Sequence, residues 1–205
     1  SAVVDKIFDE SDDPLGSLKQ AFHKGFNPKE TGTMGSFTVE DIEYLARMVI
    51  LEQGASHGET SGEWAGMMNA AINRARIKNT SVKDIVTRIS WPGSGPYGKA
   101  YIQRIQSSYP ISQQTWLQAL KYATLLVMGK KSNPIGGRQL FVHPRSLKRT
   151  EQPTGTIGKD KRGVPKSISL DGKWYPLWMV MRNDPRLRNY PEARKLAKAP
   201  NAVIS

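Results

Sequence analysis

Four carboxylates lie between residues 52 and 144, namely Glu52, Glu59, Glu63 and Asp84. One of them occupies a position that favours acid chemistry. Glu63 and Asp84 fall in the first turns of predicted helices, where a carboxylate stabilises the free backbone N–H groups. Glu52 instead ends the apolar run in "MVILEQG", on the apolar side of its predicted helix. Since burial disfavours the ionised carboxylate, we expect a raised pKa, which suits a general acid.

Glu52 and its neighbours are also compatible with purely structural roles. An acid at a helix C-terminus can turn towards water or pair with an arginine such as Arg74 or Arg76. Ser56, His57 and Glu59 are residue types of a hydrolase triad, but they lie too close together in one loop to be expected to align in series. His57 is then a polar loop residue that can hydrogen-bond a sugar, and Glu59 remains the second candidate carboxylate.

Apolar residues at helical spacing predict the elements that position these side chains. Capping patterns begin three helices, at Thr38 with Asp41, at Thr60 with Glu63, and at Ser81 with Asp84. The loop "WPGSGPYG" carries Trp91 and Tyr97, whose rings, like that of Tyr101, can stack on sugars or pack at a rim or in a core. The predicted helices cover about 38–53, 60–76, 81–89, 99–106 and 112–128, followed by strands at 140–142 and 173–181 and a helix near 191–199.

Composition excludes several classes of protein. With 205 residues and 38% apolar content, the chain is expected to fold around a real core, and it contains no run of about 20 apolar residues that would predict a membrane span. The absence of cysteine excludes disulfides, thiolate metal sites and a cysteine nucleophile. The three histidines are far apart, so we predict neither a metal site nor a cofactor. The sequence begins at Ser1 without a charged n-region and an apolar h-region, so a secretion signal is expected to be either removed or absent.

The net charge of +12 is concentrated at one end of the chain. Residues 1–37 carry 4 basic and 6 acidic side chains, residues 38–144 carry 12 and 7, and residues 145–205 carry 14 and 5. Such a basic region attracts polyanions, whether nucleic acid, anionic polymers of a bacterial envelope or acidic lipid, although a solvated surface explains it too. The predicted organisation is a flexible acidic arm at 1–37, a core at 38–144, and a basic extension at 145–205 packed on or completing that core.

An ordered set of motifs resembles a known family. The segments are "LARMVILEQG", "GEWAGMMNAAINRAR", "NTSVKDIV" and "LLVMGKKSNPIGGRQLFVHP", which together cover about residues 38–144. They resemble the bacterial cell-wall hydrolases that include the spore cortex-lytic enzymes. The chain departs from that pattern in having Gln53 after the glutamate and a connection to the second helix about three residues longer, so the place of Glu59 is left open.

The resemblance implies an α+β, mainly helical, lysozyme-like fold with a small β-sheet, acting on the glycan strands of peptidoglycan. Glu52 matches the glutamate that protonates the glycosidic oxygen. Asn73 and Arg74 match the Asn-Arg pair that closes the family's second helix, where we expect them to bind substrate and orient the glutamate or simply to bond the last carbonyls of the helix. Phe141 and His143 match the family's aromatic strand and are expected to line the cleft.

The sequence is compatible with two mechanisms and with two classes of protein. A muramidase needs a second carboxylate, whereas a lytic transglycosylase works with one acid because a hydroxyl of the muramic acid attacks internally, and the carboxylate-poor core favours the latter. A phage virion-associated or secreted lysin is the expected setting. The alternative from another class is a non-catalytic polyanion-binding protein, nucleic-acid-binding or structural in a virion, using the basic tail with Trp174, Tyr175 and Trp178.

Overall fold

A computed structural model describes residues 2–24, 37–53, 62–107, 112–142, 156–163, 165–170, 173–176, 179–196 and 201–204. These residues are mainly helical, as predicted, and their strands form two three-stranded antiparallel sheets. The chain divides into two compact units. The first unit comprises Ser1–Ser56 and Lys78–Ser132, and the second comprises His57–Ile77 and Asn133–Ser205.

The helices of the described residues are α1 (Ala2–Glu10), α2 (Pro14–His23), α3 (Val39–Gln53), α4 (Glu63–Lys78), α5 (Val82–Val86), α6 (Pro96–Gln106), α7 (Gln113–Val127) and α8 (Pro191–Leu196). The predictions for α3, α4, α5 and α7 are confirmed to within a few residues. α6 begins three residues earlier than predicted, because Pro96 is compatible with the first turn of a helix, where no backbone N–H donor is needed.

α3 is the central helix of the first unit, and it packs against α5, α6 and α7. Its residues Ile42, Leu45 and Met48 are fully buried, as their spacing predicts. The N-terminus of α3 is held by a reciprocal pair of hydrogen bonds, from Thr38 N–H to Asp41 Oδ2 and from Asp41 N–H to Thr38 Oγ1, both 3.1 Å. Asp41 Oδ1 also accepts the Val82 N–H at 3.0 Å, which ties the start of α5 to the start of α3.

The predicted flexible arm is wrong for residues 2–24, which form α1 and α2. α1 contacts α2 and α7, and α2 contacts α3. Val4 and Leu18 are fully buried, and Asp13, part of the acidic cluster between these helices, accepts a hydrogen bond from the Gly16 N–H in the first turn of α2. Because the segment is mostly polar, its few buried apolar positions were not recognised from the sequence. Residues 25–36 lie outside the described part of the chain.

The second unit combines α4 with the two sheets. The strands are β1 (Leu140–Val142), β2 (Thr156–Lys159), β3 (Pro165–Leu170), β4 (Lys173–Pro176), β5 (Met179–Arg182) and β6 (Asn201–Ile204). One sheet has the order β1-β5-β6 and the other the order β2-β3-β4. The single strand predicted at 173–181 is therefore two strands in different sheets, whereas β1 is confirmed. Periodicity alone does not reveal which partner each half of such a run will pair with.

Polar contacts place α4 with residues beyond 132. Asn73 Nδ2 donates to the carbonyls of Gly136 at 2.9 Å and Arg138 at 2.8 Å, and Arg74 Nη2 lies 3.5 Å from Asp184 Oδ2. The predicted division, with one core at 38–144 and an extension at 145–205, differs from the observed one, because the Arg74–Asp184 pair joins residues of both ranges within one unit. The difference arises because contacts between residues so distant in sequence leave no periodic signal.

Candidate functional site at the end of α3

Glu52 lies in the last turn of α3, on the side where the structure places aromatic partners. Its side chain is half-buried, and it forms hydrogen bonds with the side chains of Tyr101 in α6 and Trp91 in the preceding loop. All three residues belong to the first unit. The packing of α6 against α3 brings the tyrosine to the glutamate, although the two residues are 49 positions apart in sequence.

The aromatic partners also bond each other. Trp91 Nε1 donates to the Tyr101 hydroxyl at 3.1 Å, and a hydroxyl group can accept this bond while donating its own proton to a carboxylate. Tyr101 is only 2% exposed, so its ring is fixed by packing as well as by this bond. The result is a buried donor held against the carboxyl of Glu52.

Burial raises the pKa of Glu52 from 4.5 to about 7. The hydrogen bonds from Tyr101 and Trp91 act in the opposite direction, because they stabilise the ionised form, but they do not cancel the cost of desolvation. A carboxyl with this pKa is partly protonated at neutral pH and readily regains its proton. Such a group can serve as an acid in one step and as a base in the next.

Tyr97 presents an accessible ring beside this pair. It is 66% exposed, and its ring centroid lies 6.4 Å from that of Tyr101, with the planes inclined at 50°. Partial burial and the charge of Glu52 raise the pKa of its hydroxyl. The structure thus brings together Glu52, Trp91 and Tyr97 of the predicted site residues, next to a surface on which a planar or ring-shaped group can stack.

Asn73 and Arg74 have structural contacts in the second unit. Asn73, 1% exposed, uses its side-chain amide to bond the Gly136 and Arg138 carbonyls rather than the last carbonyls of its own helix. Arg74, 3% exposed, pairs with Asp184, and burial lowers its pKa to about 10. These contacts account for both residues as parts of the core of that unit.

The arginines predicted as alternative partners of Glu52 pair with other acids. Arg74 pairs with Asp184, and Arg76 Nη2 lies 3.6 Å from Glu192 Oε1. The rival carboxylates also differ from Glu52. Glu63 is the first residue of α4 and is 2% exposed. Asp84 lies in the first turn of α5, where the Thr80 hydroxyl and Arg88 bond it and lower its pKa against the effect of burial.

The remaining predicted site residues are not brought to Glu52 by any described contact. Phe141 is half-buried in β1, where it stands opposite Met181 of β5. His57, Glu59 and His143 lie outside the described residues, as does Ser56. Within the described ranges, no group of three or more His, Cys, Asp or Glu side chains is arranged to hold a metal ion. None of the described helices has the length and apolar character needed to cross a membrane.

Tyr101 is the member of the site that sequence reasoning left with an incomplete role. We predicted it only as a stacking or packing ring, whereas it is a buried hydrogen-bond partner of the glutamate. The signal for this role was its spacing. Tyr97 and Tyr101 are four residues apart, so they share a helix face once the helix is known to begin at Pro96.

No protein-family model matches the chain, and no curated protein and no solved structure matches it either.

Proposed function

We propose that this protein is a peptidoglycan glycosidase that cleaves the bond between N-acetylmuramic acid and N-acetylglucosamine, with Glu52 as its proton donor. The observation that carries the proposal is the half-buried carboxyl of Glu52, whose pKa is raised to about 7 among neutral hydrogen-bond partners. Glycosidic cleavage needs a donor that still holds its proton near neutral pH. The ordered motifs that resemble cell-wall hydrolases add a lysozyme-like fold to the proposal.

In the proposed first step, protonated Glu52 gives its proton to the glycosidic oxygen while the bond from the muramic acid C1 to that oxygen breaks. The leaving sugar departs with a free hydroxyl, and Glu52 becomes a carboxylate. The hydrogen bonds from Tyr101 and Trp91 stabilise this ionised form, so they favour the transfer. Tyr97 offers its exposed ring to a sugar beside the reacting bond.

In the second step, a hydroxyl of the same muramic acid attacks C1 and gives its proton to the Glu52 carboxylate. The product is an anhydro-muramic end, and the acid is regenerated without water. A lytic transglycosylase of this kind is the form we favour, because the side chains that bond Glu52 are a tyrosine and a tryptophan. A muramidase would instead use water and a second carboxylate, for which Glu59 is the candidate.

The setting proposed is a bacteriophage virion or secretion to a bacterial envelope, with peptidoglycan as partner. Lys159, Lys161 and Arg162 are exposed at the turn between β2 and β3, and they can attract an anionic envelope polymer. The same exposed charges favour the second candidate function, a non-catalytic protein that binds nucleic acid or another polyanion.

One comparison tests the enzyme proposal. Purified peptidoglycan is treated with the parent protein and with Glu52→Gln, and the released fragments are analysed by mass. We expect cleavage by the parent and a loss of about 10²–10⁴-fold in the variant, because the general acid is removed while the shape is kept. Anhydro-muramic ends indicate a transglycosylase, and reducing ends indicate a muramidase.

The matched control is Glu43→Gln, which changes another acid of α3 that pairs with Arg47 at 3.2 Å. It should cleave as the parent does. Unchanged cleavage by Glu52→Gln, or none by the folded parent, contradicts the proposal. If the parent does not cleave but is retained on DNA with a steep dependence on salt, the polyanion-binding function is the better account.

A further inference from the structure

We propose that Tyr101 is a positioning residue for Glu52, held in place by the indole of Trp91, and that it fixes the direction in which the carboxyl presents its proton. This inference rests on the proposed function, because the direction matters only if Glu52 transfers a proton. Its geometric basis is a chain of hydrogen bonds from Trp91 Nε1 to the Tyr101 hydroxyl at 3.1 Å, and from that hydroxyl to the carboxyl.

The tyrosine has the properties of a fixed donor rather than of a ligand contact. It is 2% exposed, whereas Tyr97, one turn earlier on the same helix, is 66% exposed. A buried hydroxyl keeps its partners because leaving a buried polar group unpaired is costly. Substrate can reach Tyr97, whereas Tyr101 acts through the glutamate. Such an outer partner orients a functional group and tunes its basicity.

The loop that carries Trp91 is itself fixed against the first turn of α6. Trp91 N–H bonds the Arg88 carbonyl at 3.0 Å, and Gly93 N–H bonds the Ile89 carbonyl at 2.9 Å. Gly93 has φ +99°, a conformation that favours glycine. A β-carbon at Gly98 would overlap the Gly93 carbonyl oxygen, so the loop approaches the helix as closely as glycine allows. This packing holds the indole at its place.

The neighbours that act on Glu52 make a titration informative. Among the described residues, the carboxyl of Glu52 is hydrogen-bonded by Tyr101 and Trp91. Its charge also acts on the hydroxyl of Tyr97, on which the charge of Arg104 in α6 acts in the opposite direction. The charge of Glu52 in turn raises the pKa of Tyr101 further above its ordinary value, after the larger effect of burial. Removing the tyrosine hydroxyl therefore changes one donor to the carboxyl and leaves the ring in place.

The test is Tyr101→Phe, followed by ¹³C NMR titration of the Glu52 carboxyl and by the pH profile of peptidoglycan cleavage. Loss of the donor should move the titration of Glu52 above that of the parent and should lower kcat about tenfold, with little change in KM. The fall of kcat/KM on the alkaline side, where the acid loses its proton, should move to higher pH by the same amount.

Trp91→Phe is the second variant, and it should move the titration in the same direction. Tyr122→Phe, which removes the hydroxyl of a buried tyrosine in α7, is the matched control and should leave both readouts unchanged. An unchanged Glu52 titration in folded Tyr101→Phe overturns the inference. If Tyr101→Phe does not fold, an unchanged titration in Trp91→Phe overturns it instead.

The titration separates this inference from the proposed function. A parent protein that leaves peptidoglycan intact contradicts the glycosidase proposal, while the NMR titration still shows whether Tyr101 holds the carboxyl. Conversely, a shift of the Glu52 titration of equal size in Tyr122→Phe would mean that any loss of a buried hydroxyl has this effect, and it would overturn the specific role of Tyr101.

Discussion

Glu52 in the first unit and Asp184 in the second are both carboxylates withdrawn from water, but their surroundings move their pKa values in opposite directions. Glu52 is bonded by a tyrosine and a tryptophan, and burial raises its pKa to about 7. Burial also acts to raise the pKa of Asp184, but the hydrogen bonds of Arg186 and the charges of Arg74 and Arg186 outweigh it and lower the pKa.

The two pKa values move in opposite directions because the partners of the two carboxylates differ in charge, and not because the carboxylates differ in burial. Asp184 Oδ2 lies 2.7 Å from Arg186 Nη2 and 3.5 Å from Arg74 Nη2, so its negative charge is matched. Neutral donors satisfy the oxygens of Glu52 without matching a charge. A buried carboxylate paired with arginines acts as a structural link, whereas one with neutral donors is left able to exchange a proton.

The largest loss of stability is expected when the carboxylate that matches the charge of Arg74 is removed. Asp184→Asn leaves Arg74, 3% exposed, without its carboxylate, and breaking a buried pair in this way costs about 3–5 kcal/mol of the free energy of unfolding. The lowered pKa means that Asp184 stabilises the fold above its ordinary pKa of 3.8, and that this contribution is lost as the pH falls through the folded-state value.

Urea denaturation of the parent and Asp184→Asn at neutral pH measures this loss. Repeating the comparison in acid, under conditions where the parent still folds, should give a smaller difference between the two proteins. A difference below about 1 kcal/mol at neutral pH would mean that Arg74 finds another partner, and the charge match would then not be what distinguishes the two carboxylates.

The next effect has the opposite dependence on pH. Because the pKa of Glu52 rises from 4.5 to about 7 on folding, the folded state keeps a proton that the unfolded state releases, and stability falls as the pH rises across this range. The shift corresponds to about 3 kcal/mol. Glu52→Gln cannot ionise, so relative to the parent it should gain about that much stability between pH 4 and pH 8.

Urea denaturation of both proteins at pH 4 and pH 8 checks this expectation. Glu10→Gln, at the exposed end of α1, is the control and should differ from the parent by the same small amount at both values of pH. An equal difference between Glu52→Gln and the parent at pH 4 and pH 8 would show that Glu52 is solvated as an ordinary surface acid. The contrast with Asp184 would then fail.

Local chemistry allowed much of the first unit to be predicted. Thr38 with Asp41, Ser81 with Asp84, and Ser112 begin their helices as the sequence indicates, because each cap bonds an N–H only three residues away. The same regularity placed Glu52 on the buried side of α3. A helix carries this information in its own sequence, since the side chains that share a face recur at fixed spacing.

The partners of Glu52 and Asp184 could not be predicted from helical spacing. Asp184 meets Arg74 across 110 positions and Glu52 meets Tyr101 across 49, and neither distance is marked by any period in the sequence. Strands β2, β3 and β6 were not predicted for the same reason, because a short strand is stabilised by partners elsewhere in the chain. Arg74 was therefore expected near Glu52 and the substrate on the strength of its motif, although its described ion pair is with Asp184.

The smallest effect is expected where the charges are matched but water remains close. Arg76 and Glu192 lie 3.6 Å apart, with side chains 17% and 25% exposed. Because solvent screens such a pair and its long side chains lose freedom, Glu192→Gln should cost less than about 1 kcal/mol, and the cost should shrink further in high salt. Urea denaturation in low and high salt, beside Asp184→Asn, measures both effects. A cost as large as that of Asp184→Asn would mean that matching charge, and not the exclusion of water, sets the strength of these pairs.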